Sequence, residues 1–418
     1  MKFEDYRIAE NIKRSLADLG FKRPTDIQFK SIPPVLRGED VLAIAQTGTG
    51  KTAAFAIPVL QLLQQRLKPK EAGEIACLVM LPTRELAIQI AEVFTKLAQY
   101  TELNILCLHG GVEQNSQIEV LSEGVDILIA TPGRMFDLVS QKHIKLTKVE
   151  ILILDEADQM LDLGFYHDIQ DIIKFLPKKH QTLFFSATIN THIKDLAYSI
   201  VRNPIRIQIS PKNPVSKNIT HSVAFIEPDD KRAFLERIVK EHPESKLLVF
   251  VRTKVRAERV NAAMTRVNIQ SLTMHGGKEH EDRQQAMTDF KNGTVKMLIA
   301  TDLSARGIDI SNVDYVINYD LPEVPENYVH RVGRTGRGIQ KGFAVSFCST
   351  EERQILRDIE AFLGQEINVM EIARQDYQET LDFSDDTDSN WKKLMKDAED
   401  EANKKVFKSS KKVTTKKK

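Results

Sequence analysis

The sequence has few cysteines and no long apolar run. Its three cysteines, Cys77, Cys107 and Cys348, lie far apart and show no CxxC spacing. That spacing argues against a disulfide framework or a zinc site and fits a reducing compartment. No run of about 18 apolar residues occurs, and the opening letters MKFEDYRIAE lack the apolar core of a signal peptide. The net charge is only +1, so any basic surface has to be local. We therefore expect a soluble, cytoplasmic protein.

What the sequence does contain is an internal repeat of three segments, at an offset of 170 positions for two of them and 166 for the third. Chance similarity between short apolar strings explains one match more easily than three in one order, so the repeat indicates a tandem duplication of one domain. The matching segments are LIAT at 128–131 and 298–301, CLVMLPTRELA (77–87) with LLVFVRTKVRA (247–257), and LHGG (108–111) with MHGG (274–277).

Both copies contain short apolar runs that end in polar, glycine-rich or charged letters. Runs such as ACLVMLPT, EILILDEAD and KMLIATD alternate with helical stretches, a pattern typical of buried parallel strands in an α/β fold. We predict two tandem domains, each a mostly parallel sheet flanked by helices, with ligands at the carboxyl ends of the strands. The predicted boundaries are 1–208 and 218–372 for the domains, 209–217 for a proline-marked linker, and 373–418 for an acidic and then lysine-rich disordered tail.

The segment AQTGTGKT (45–52) has the composition of a phosphate-binding loop, and it stands between an apolar run and a helical stretch. Glycines there let backbone N–H groups approach phosphate oxygens, while Lys51 would reach the β- and γ-phosphates and Thr52 would bind Mg²⁺. The general pattern begins with glycine where this chain has Ala45, and a glycine-rich turn before a helix is the alternative. We assign nucleotide binding to Ala45, Gln46, Thr47, Gly48, Thr49, Gly50, Lys51 and Thr52.

The segment ILILDEADQM (151–160) places acids at the end of another apolar run. Asp155 would hold Mg²⁺ directly or through water, and Glu156 would orient or deprotonate the attacking water. A cluster of acids at the start of a helix is the alternative, and the phosphate-binding loop upstream weakens it. The two segments together predict an NTPase.

The stretch GFKRPTDIQ (20–28) bears on which base is bound. A glutamine side chain can pair with N6 and N7 of adenine, and Gln28 lies upstream of the phosphate-binding loop with Phe21 able to stack on a base. A glutamine in a loop is more often only solvated, so these letters alone leave the base open.

The second copy lacks a phosphate-binding loop, because shifting 45–52 by 170 positions gives VSKNITHS (215–222), without glycine or GKT. It contains instead YVHRVGRTGRG, in which Arg331, Arg334 and Arg337 recur at every third position. These arginines are either a basic patch for nucleic acid or fingers that reach the γ-phosphate held by the first domain. A finger contributes about 10³–10⁵ in rate, which favours the second interpretation. A site split in this way would couple hydrolysis to domain motion.

In these segments the chain resembles the DEAD-box RNA helicases of helicase superfamily 2, over about residues 1–370. The compact core and the ending FLGQEINVMEI are most similar to the bacterial RhlE-type subgroup. The motifs that carry the resemblance are Phe3 with GFKRPTDIQ, AQTGTGKT with its alanine, PTRELA (82–87), GG (110–111), TPGR (131–134), DEAD (155–158), SAT (186–188), VFVRT (249–253), ATDLSARGID (300–309) and HRVGRTGR (330–337).

The resemblance implies two RecA-like domains that use ATP and Mg²⁺. It implies that Gln28 reads adenine while Phe21 stacks on it, that Asp309 contacts the ribose, and that Arg334 and Arg337 are the fingers. The catalytic set would then be Lys51, Asp155, Glu156, Arg334 and Arg337, with Thr52 and Asp155 on the metal. Coupling between the ATP site and the domain interface would fall to Ser186, Thr188, His330 and Arg331.

The resemblance also implies an RNA track across both domains that contacts the backbone with little base specificity. ATP and RNA would close the domains, bend one strand and release its partner from a short duplex. The implied partners are RNA and proteins of RNP or RNA-degradation assemblies, with no membrane and a monomeric chain. The residues of the track would be Pro82, Thr83, Arg84, Gly111, Thr131, Arg134, Arg252, Thr253 and Thr301.

Other functions remain open at this stage. An ATP-gated RNA clamp would use the same parts with little unwinding. A DNA-translocating helicase would share the motor, and only the resemblance argues against it. The lysine-rich end, 404–418, is either a solvated tail or a nonspecific RNA-binding segment.

Overall fold

In a computed structural model of the chain, the described residues are 2–45, 48–65, 73–189, 191–209, 215–305, 310, 313–336 and 341–383. Within them the strands form two seven-stranded parallel sheets. Helices alternate with the strands along the chain, which confirms the predicted α/β class and the tandem arrangement. No helix in this part of the chain is long and apolar enough to cross a bilayer.

The first sheet has the strand order β3-β4-β2-β5-β6-β1-β7. Alternate residues of its strands pack into two different apolar clusters, as Val79 and Met80 of β2 do, so both faces of the sheet are covered. The strands are β1 (Val41–Ala45), β2 (Cys77–Met80), β3 (Ile105–Leu108), β4 (Ile127–Ala130), β5 (Ile151–Leu154), β6 (Gln181–Ser186) and β7 (Ile205–Ile209). The helices are α1 (Glu10–Asp18), α2 (Asp26–Leu36), α3 (Lys51–Gln64), α4 (Arg84–Leu97), α5 (Gln114–Glu123), α6 (Pro132–Ser140), α7 (Ala157–Asp162), α8 (Tyr166–Phe175) and α9 (Thr191–Ile200), with 3₁₀ turns at Phe3–Asp5 and Leu146–Lys148.

The second sheet has the order β10-β11-β9-β12-β13-β8-β14 and is likewise covered on both faces. Its strands are β8 (Ile219–Phe225), β9 (Leu247–Phe250), β10 (Leu272–Met274), β11 (Met297–Ala300), β12 (Tyr315–Asn318), β13 (Gly342–Cys348) and β14 (Asn368–Val369). Its helices are α10 (Lys231–Glu241), α11 (Lys254–Arg266), α12 (His280–Asn292), α13 (Asp302–Ala305), α14 (Pro325–Val332), α15 (Arg353–Leu363) and α16 (Arg374–Phe383), with a 3₁₀ turn at Thr350–Glu352.

The two sheets are built to one plan, since each position in the first order has its counterpart in the second. The repeated LIAT ends β4 in one sheet and β11 in the other. Ala130 pairs with Met80 of β2, and Ala300 pairs with Phe250 of β9. Equivalent polar residues therefore follow equivalent strands at one edge of each sheet.

The constant offset of 170 fails at the counterpart of the phosphate-binding loop. Because β8 occupies the place of β1, the counterpart of 45–50 is the segment that leads into α10, and not 215–222 as the offset predicted. The connection between α3 and β2 is longer than the one between α10 and β9, and this length difference shifts the register. Lys51 and Lys231 thus begin equivalent helices.

The C-terminal helix α16 differs from the prediction of disorder from residue 373. Tyr377 packs its ring on Phe234 of α10, with centroids 4.8 Å apart, and its hydroxyl donates to Asp230 Oδ2 at 2.6 Å. Leu381, one helical turn later, joins the same apolar cluster. The sequence QDYQETLDF looked polar as a whole, but its apolar residues share one face of a helix. The rest of the predicted tail, 384–418, lies outside the described residues.

Candidate functional site

The loop between β1 and α3 has backbone geometry that favours glycine. Gly48 and Gly50 have φ angles of +81° and +92°, in the left-handed region that other residues rarely adopt. A Cβ on Gly50 would lie 2.5 Å from Gln28 Nε2. The loop leads into the N-terminus of a fourteen-residue helix, where orphan N–H groups favour a phosphate. Of the predicted loop residues, Gln46 and Thr47 lie outside the described residues.

Lys51 is held between the two acids that the sequence assigned to the same site. Its Nζ lies 2.8 Å from Glu156 Oε1 and 4.0 Å from Asp155 Oδ1, and all three side chains are buried. Burial would lower the pKa of Lys51, but the two carboxylates raise it above its ordinary value. The ammonium therefore stays charged at neutral pH.

The two acids differ in their electrostatic surroundings. Burial raises the pKa of Asp155 above its ordinary value despite the nearby ammonium of Lys51. Burial also acts to raise the pKa of Glu156, but the charge and hydrogen bond of Lys51 bring that pKa below its ordinary value. Glu156 is thus the acid that Lys51 keeps ionised.

Glu156 has a left-handed backbone conformation, with φ 52° and ψ 46°. Such a conformation costs a non-glycine residue on the order of 1–3 kcal/mol and is common at functional sites. Asp155 Oδ1 accepts a hydrogen bond from the Glu156 N–H at 2.9 Å, and Glu156 Oε2 accepts one from Gln159 Nε2 at 3.2 Å. These contacts hold the bend that brings the carboxylate to Lys51.

Gln28 is buried and braces the phosphate-binding loop. Its Oε1 accepts from the Thr25 N–H at 2.9 Å, and its Nε2 donates to the Gly50 carbonyl at 3.2 Å. Within the described residues these two bonds leave Gln28 with one unused amide N–H and one unused oxygen lone pair. The N–H can donate to adenine N7, and the oxygen can accept from the N6 amino group. Phe21 is half-buried and packs edge-on against Phe3, with centroids 5.9 Å apart.

Asp158 links two segments, and the sequence analysis gave it no role. Its Oδ2 accepts hydrogen bonds from the Ala187 N–H at 3.1 Å, the Thr188 N–H at 3.0 Å and the Thr188 hydroxyl at 3.1 Å. The predicted coupling residue Thr188 is therefore joined to the acid cluster. The hydroxyl of Ser186, its predicted companion, is buried and has no hydrogen-bond partner among the described residues.

Two residues of the second domain lie close to these acids. Electrostatic interactions with His330 and Arg334 both lower the pKa of Glu156, after the larger effects of burial and Lys51. His330 acts in the same way on Asp158. The structure thus brings His330 and Arg334 to the acid cluster of the first domain. Arg337 and Asp309, also assigned to the site, lie outside the described residues.

Arg331 makes its contacts inside the second domain. Its Nε and Nη2 bind the two oxygens of Asp302 at 2.5 and 2.7 Å. Its Nη1 donates to the carbonyl of Asp320 at 2.7 Å and to Asn318 at 3.2 Å. It is 2% exposed, so it ties α13 and α14 to the end of β12 rather than facing the nucleotide loop. No sequence motif signalled Asp320.

The first-domain residues of the predicted RNA track meet at one edge of the sheet, because β3, β4 and β2 are neighbours. The guanidinium of Arg84 covers a glycine turn, and a Cβ on Gly110 would lie 3.1 Å from its Nη2. Arg134 donates to Gln117 Oε1 at 2.6 Å and to the Val112 carbonyl at 3.2 Å. The edge carries Pro82, Thr83 and Arg84 after β2, Gly111 after β3, and Thr131 and Arg134 after β4.

The second domain has an equivalent edge, at the carboxyl ends of β9 and β11. Thr253 Oγ1 caps α11 by accepting from the Arg256 N–H at 3.1 Å, as Thr83 caps α4 by accepting from the Leu86 N–H at 3.3 Å. Thr301 follows β11 as Thr131 follows β4. Arg252 is half-exposed, and its Nη2 lies 3.1 Å from a carboxylate oxygen of Glu352.

An ion pair joins the two domains beside this edge. Glu85, in the first turn of α4, binds Arg283 of α12 across 198 positions of sequence. Both side chains are largely buried. Neither residue was assigned a role from the sequence, because nothing local shows that α4 and α12 meet.

The donors at the nucleotide loop suit a magnesium ion that also has phosphate ligands. Thr52 offers a hydroxyl and Asp155 a carboxylate, which are the hard oxygens that Mg²⁺ prefers. Among the described residues no cluster of three acidic, histidine or cysteine side chains could hold a metal alone. One or two protein ligands together with phosphates and water is the usual arrangement for this ion.

Comparison with family models gives two matches. The DEAD/DEAH box helicase model matches residues 25–196, and the helicase conserved C-terminal domain model matches residues 230–338. The DEAD-box ATP-dependent RNA helicase RhpA of Helicobacter pylori is 39% identical over 370 residues, covering 88% of this chain and 74% of that protein. The ATP-dependent RNA helicase RhlB of Pseudomonas putida is 38% identical over 371 residues, covering 88% of this chain and 93% of that protein.

Two solved structures of one yeast protein are similar to this chain to different degrees. S. cerevisiae Dbp5 bound to RNA and ADP BeF3 superposes with a TM-score of 0.79 at 30% identity, over 91% of this chain and 98% of that one. A Dbp5 variant bound to Nup159, Gle1, IP6 and ADP gives a TM-score of 0.61 at 28% identity, over 90% of this chain and 100% of that one.

Proposed function

Because the chain belongs to the DEAD/DEAH box helicase family, we propose that it is an ATP-dependent RNA helicase. ATP hydrolysis stimulated by RNA would drive the closing and opening of the two domains, with local unwinding of short duplexes or remodelling of RNA–protein complexes. The observation that carries this proposal is the meeting of Lys51 and Glu156 of the first domain with His330 and Arg334 of the second. A nucleotide bound at that place would contact both domains at once.

A change of partner at Lys51, from Glu156 to a phosphate, would give a mechanism for ATP hydrolysis. The Lys51 ammonium neutralises Glu156, with Nζ 2.8 Å from Oε1. Phosphate oxygens at the loop would compete for Lys51, and Glu156 would then be released to orient or deprotonate the attacking water. A magnesium ion held through Thr52 and Asp155 would neutralise phosphate charge. Arg334, with Arg337, would stabilise the charge that develops on the γ-phosphate.

The arrangement of the domains supports closure by RNA and nucleotide. The chain superposes better on Dbp5 with RNA and ADP BeF3 than on the Dbp5 variant with Nup159, Gle1, IP6 and ADP. The difference does not come from coverage, because the matches span 98% and 100% of those two chains. In this arrangement the ion pair between Glu85 and Arg283 joins the two domains. Since Glu85 adjoins Arg84, this pair would connect RNA contact to closure.

RNA would lie along the matching strand edges of the two domains. Backbone N–H groups, hydroxyls and arginines there suit phosphate and ribose, which position a strand without reading its bases. The proposed contacts are those of Pro82, Thr83, Arg84, Gly111, Thr131, Arg134, Arg252, Thr253 and Thr301. The ATP site would be coupled to the domain interface through Asp158 and Thr188 in the first domain and through His330 in the second. Arg331 would set the position of the second domain's loops through Asp302.

Two finer assignments rest on the sequence. The compact core and the ending FLGQEINVMEI favour the RhlE-type subgroup, and a cytoplasmic location is the second of these proposals. Proteins of RNP or RNA-degradation assemblies are the proposed partners of a monomeric chain.

The test compares ATP hydrolysis stimulated by an RNA and by a DNA of the same sequence, with strand separation assayed in parallel on a short duplex. The proposal predicts strong stimulation by RNA only, together with ATP-dependent strand separation. Equal stimulation by DNA would contradict the RNA assignment. A long-lived complex with RNA and a nonhydrolysable analogue, combined with hydrolysis but no strand separation, would identify the clamp instead.

A further inference from the structure

The second domain contains a counterpart of the lysine that serves the phosphate-binding loop. Lys231 begins α10 after β8, as Lys51 begins α3 after β1. Both lysines are buried in spite of their charge, with Lys231 1% exposed. The segment before α10, IEPDD, has no glycine, so it lacks the residues that most readily adopt the left-handed conformation seen at Gly48 and Gly50 before α3.

Two carboxylates surround Lys231 much as two carboxylates surround Lys51. Lys231 Nζ lies 2.6 Å from Glu352 Oε2 and 3.8 Å from Asp320 Oδ1, and it also donates to the Tyr319 carbonyl at 2.8 Å. At Lys51 the corresponding distances to Glu156 and Asp155 are 2.8 and 4.0 Å. The anionic partner of Lys231 is therefore supplied by the protein itself, through Glu352.

The same two carboxylates hold Arg252. Glu352 Oε1 accepts from Arg252 Nη2 at 3.1 Å, while its other oxygen binds Lys231. Asp320 Oδ2 accepts from the backbone N–H of Arg252 at 3.0 Å. The main chain and the guanidinium of Arg252 are thus both held by carboxylates that lie beside Lys231, and Asp320 is also bound by Arg256, whose Nη2 lies 3.2 Å from Asp320 Oδ1.

The electrostatics of Glu352 require this lysine. Burial would raise the pKa of Glu352, but the charge and hydrogen bond of Lys231, with N–H donors from Ser349 and Leu321, keep that pKa below its ordinary value. A buried carboxylate without such a partner would take up a proton or move towards water. An ionised Glu352 offers the full charge-assisted bond to Arg252.

The contacts of α16 close this site from outside. The Tyr377 hydroxyl donates to Asp230, the residue before Lys231, and accepts from the Glu227 N–H at 3.3 Å. The loop that would correspond to a phosphate-binding loop is therefore held by contacts with α16.

We infer that Lys231 is a positioning residue for RNA binding: with Glu352 and Asp320 it forms an internal ion cluster that holds Arg252 at the RNA edge of the second domain. This inference rests on the proposed role of Arg252 in the RNA track. The cluster occupies the place that corresponds to the ATP site of the first domain, and there it serves a different ligand, the RNA backbone.

The test measures the RNA concentration that half-saturates ATP hydrolysis, the KM for ATP and kcat at saturating RNA. A displaced Arg252 would lose its charge-assisted hydrogen bond to an RNA phosphate, which predicts a rise of about tenfold or more in the half-saturating RNA concentration for Lys231→Met and for Glu352→Gln. The KM for ATP and kcat should stay within about twofold. Lys296→Met, which removes an exposed ion pair with Glu244 of the same domain, is the matched control and should change none of the three.

A purely structural role would give a different result, because a smaller folded fraction lowers kcat and leaves half-saturation by RNA unchanged. Since a single buried charge left unpaired can prevent folding, the double variant Lys231→Met/Glu352→Gln, which removes both charges, is measured as well. Circular dichroism checks that each variant is folded. The double variant should show the same loss of RNA affinity.

Arg252→Ala separates failure of this inference from failure of the RNA track. If Arg252→Ala leaves half-saturation by RNA unchanged, the proposed role of Arg252 is wrong. If Arg252→Ala weakens RNA binding but the folded Lys231 and Glu352 variants do not, the positioning role is overturned. The inference further predicts that Glu352→Gln adds no more than about twofold in the Arg252→Ala background, because coupled residues are not additive.

Discussion

Glu85 of α4 and Arg283 of α12 form an ion pair that joins the two domains. Glu85 follows directly on Arg84, which belongs to the proposed RNA track of the first domain, and Arg283 lies on a helix of the second domain. The pair can form only when the domains meet, so its free energy contributes to the closed state alone. It gives the closed arrangement a contact that can be changed without touching either ligand site.

Reversing one charge of this pair should weaken closure. Glu85→Arg or Arg283→Glu places like charges together in a largely buried contact, and a coupling free energy of about 1–3 kcal/mol predicts a loss of about 5–150-fold in RNA-stimulated hydrolysis. The double variant restores opposite charges and should recover much of the activity. Glu92→Arg, on an exposed part of the same helix, is the control. Absence of recovery in a folded double variant would show that the pair does not contribute to closure.

Glu156→Gln should remove turnover and spare binding. The amide keeps the shape of the carboxylate and can still meet Lys51, but it cannot take a proton from water, so we expect a loss of about 10²–10⁴ in kcat. Titrations with a fluorescent ATP analogue and with labelled RNA should give affinities close to those of the unchanged protein. Asp162→Asn, at the end of α7, the helix that follows Glu156, is the matched control. Turnover within about twofold of normal would refute the role of Glu156.

Gln28→Ala should reduce the preference for adenine. The side chain has one N–H and one lone pair left for the base, and a bidentate pair contributes about 1–3 kcal/mol of discrimination. We expect the KM for ATP to rise about tenfold or more while the KM for GTP changes far less. Gln114→Ala, which removes an exposed glutamine bonded to Gln141, should change neither value. Equal effects on both nucleotides would indicate that Gln28 only braces Gly50.

His221 makes the stability of the second domain depend on pH. Burial lowers its pKa below the ordinary value of 6.5, and its Nδ1 lies 3.0 Å from the Tyr328 hydroxyl. The unfolded chain therefore takes up this proton first as pH falls. The stabilisation is complete above 6.5 and is lost as pH falls from there to the folded pKa. Thermal unfolding of the full chain at about pH 7.5 and about pH 5.5 should show a smaller shift in Tm for His221→Gln than for the control His167→Gln.

The local parts of the site could be predicted from the sequence. Gly48, Gly50 and Lys51 lie within four positions of one another. Their geometry follows from a strand, a tight turn and a helix in that order. Asp155 and Glu156 were placed for the same reason, at the end of an apolar strand. The fold class followed from runs that are buried on both faces, and the repeated LIAT followed from the equivalent strands β4 and β11.

The parts that depend on which elements meet could not be predicted. The partner of Glu85 is 198 positions away, and Lys231 and Glu352 are 121 apart, so no local pattern connects them. The constant offset of 170 hid the equivalence of Lys51 and Lys231, because one connection is longer in the first domain. Helix α16 was assigned to a disordered tail because its burial depends on α10, which the tail sequence does not reveal.

The most direct test of a single ATP site shared by both domains is the RNA-stimulated kcat of Arg334→Ala. A finger that stabilises the γ-phosphate contributes about 10³–10⁵ in rate, so kcat should fall by about 10³ or more while nucleotide and RNA affinities stay near normal. Arg357→Ala, an exposed arginine of α15, should leave kcat unchanged. A kcat for folded Arg334→Ala within about twofold of the unchanged protein would contradict the shared site.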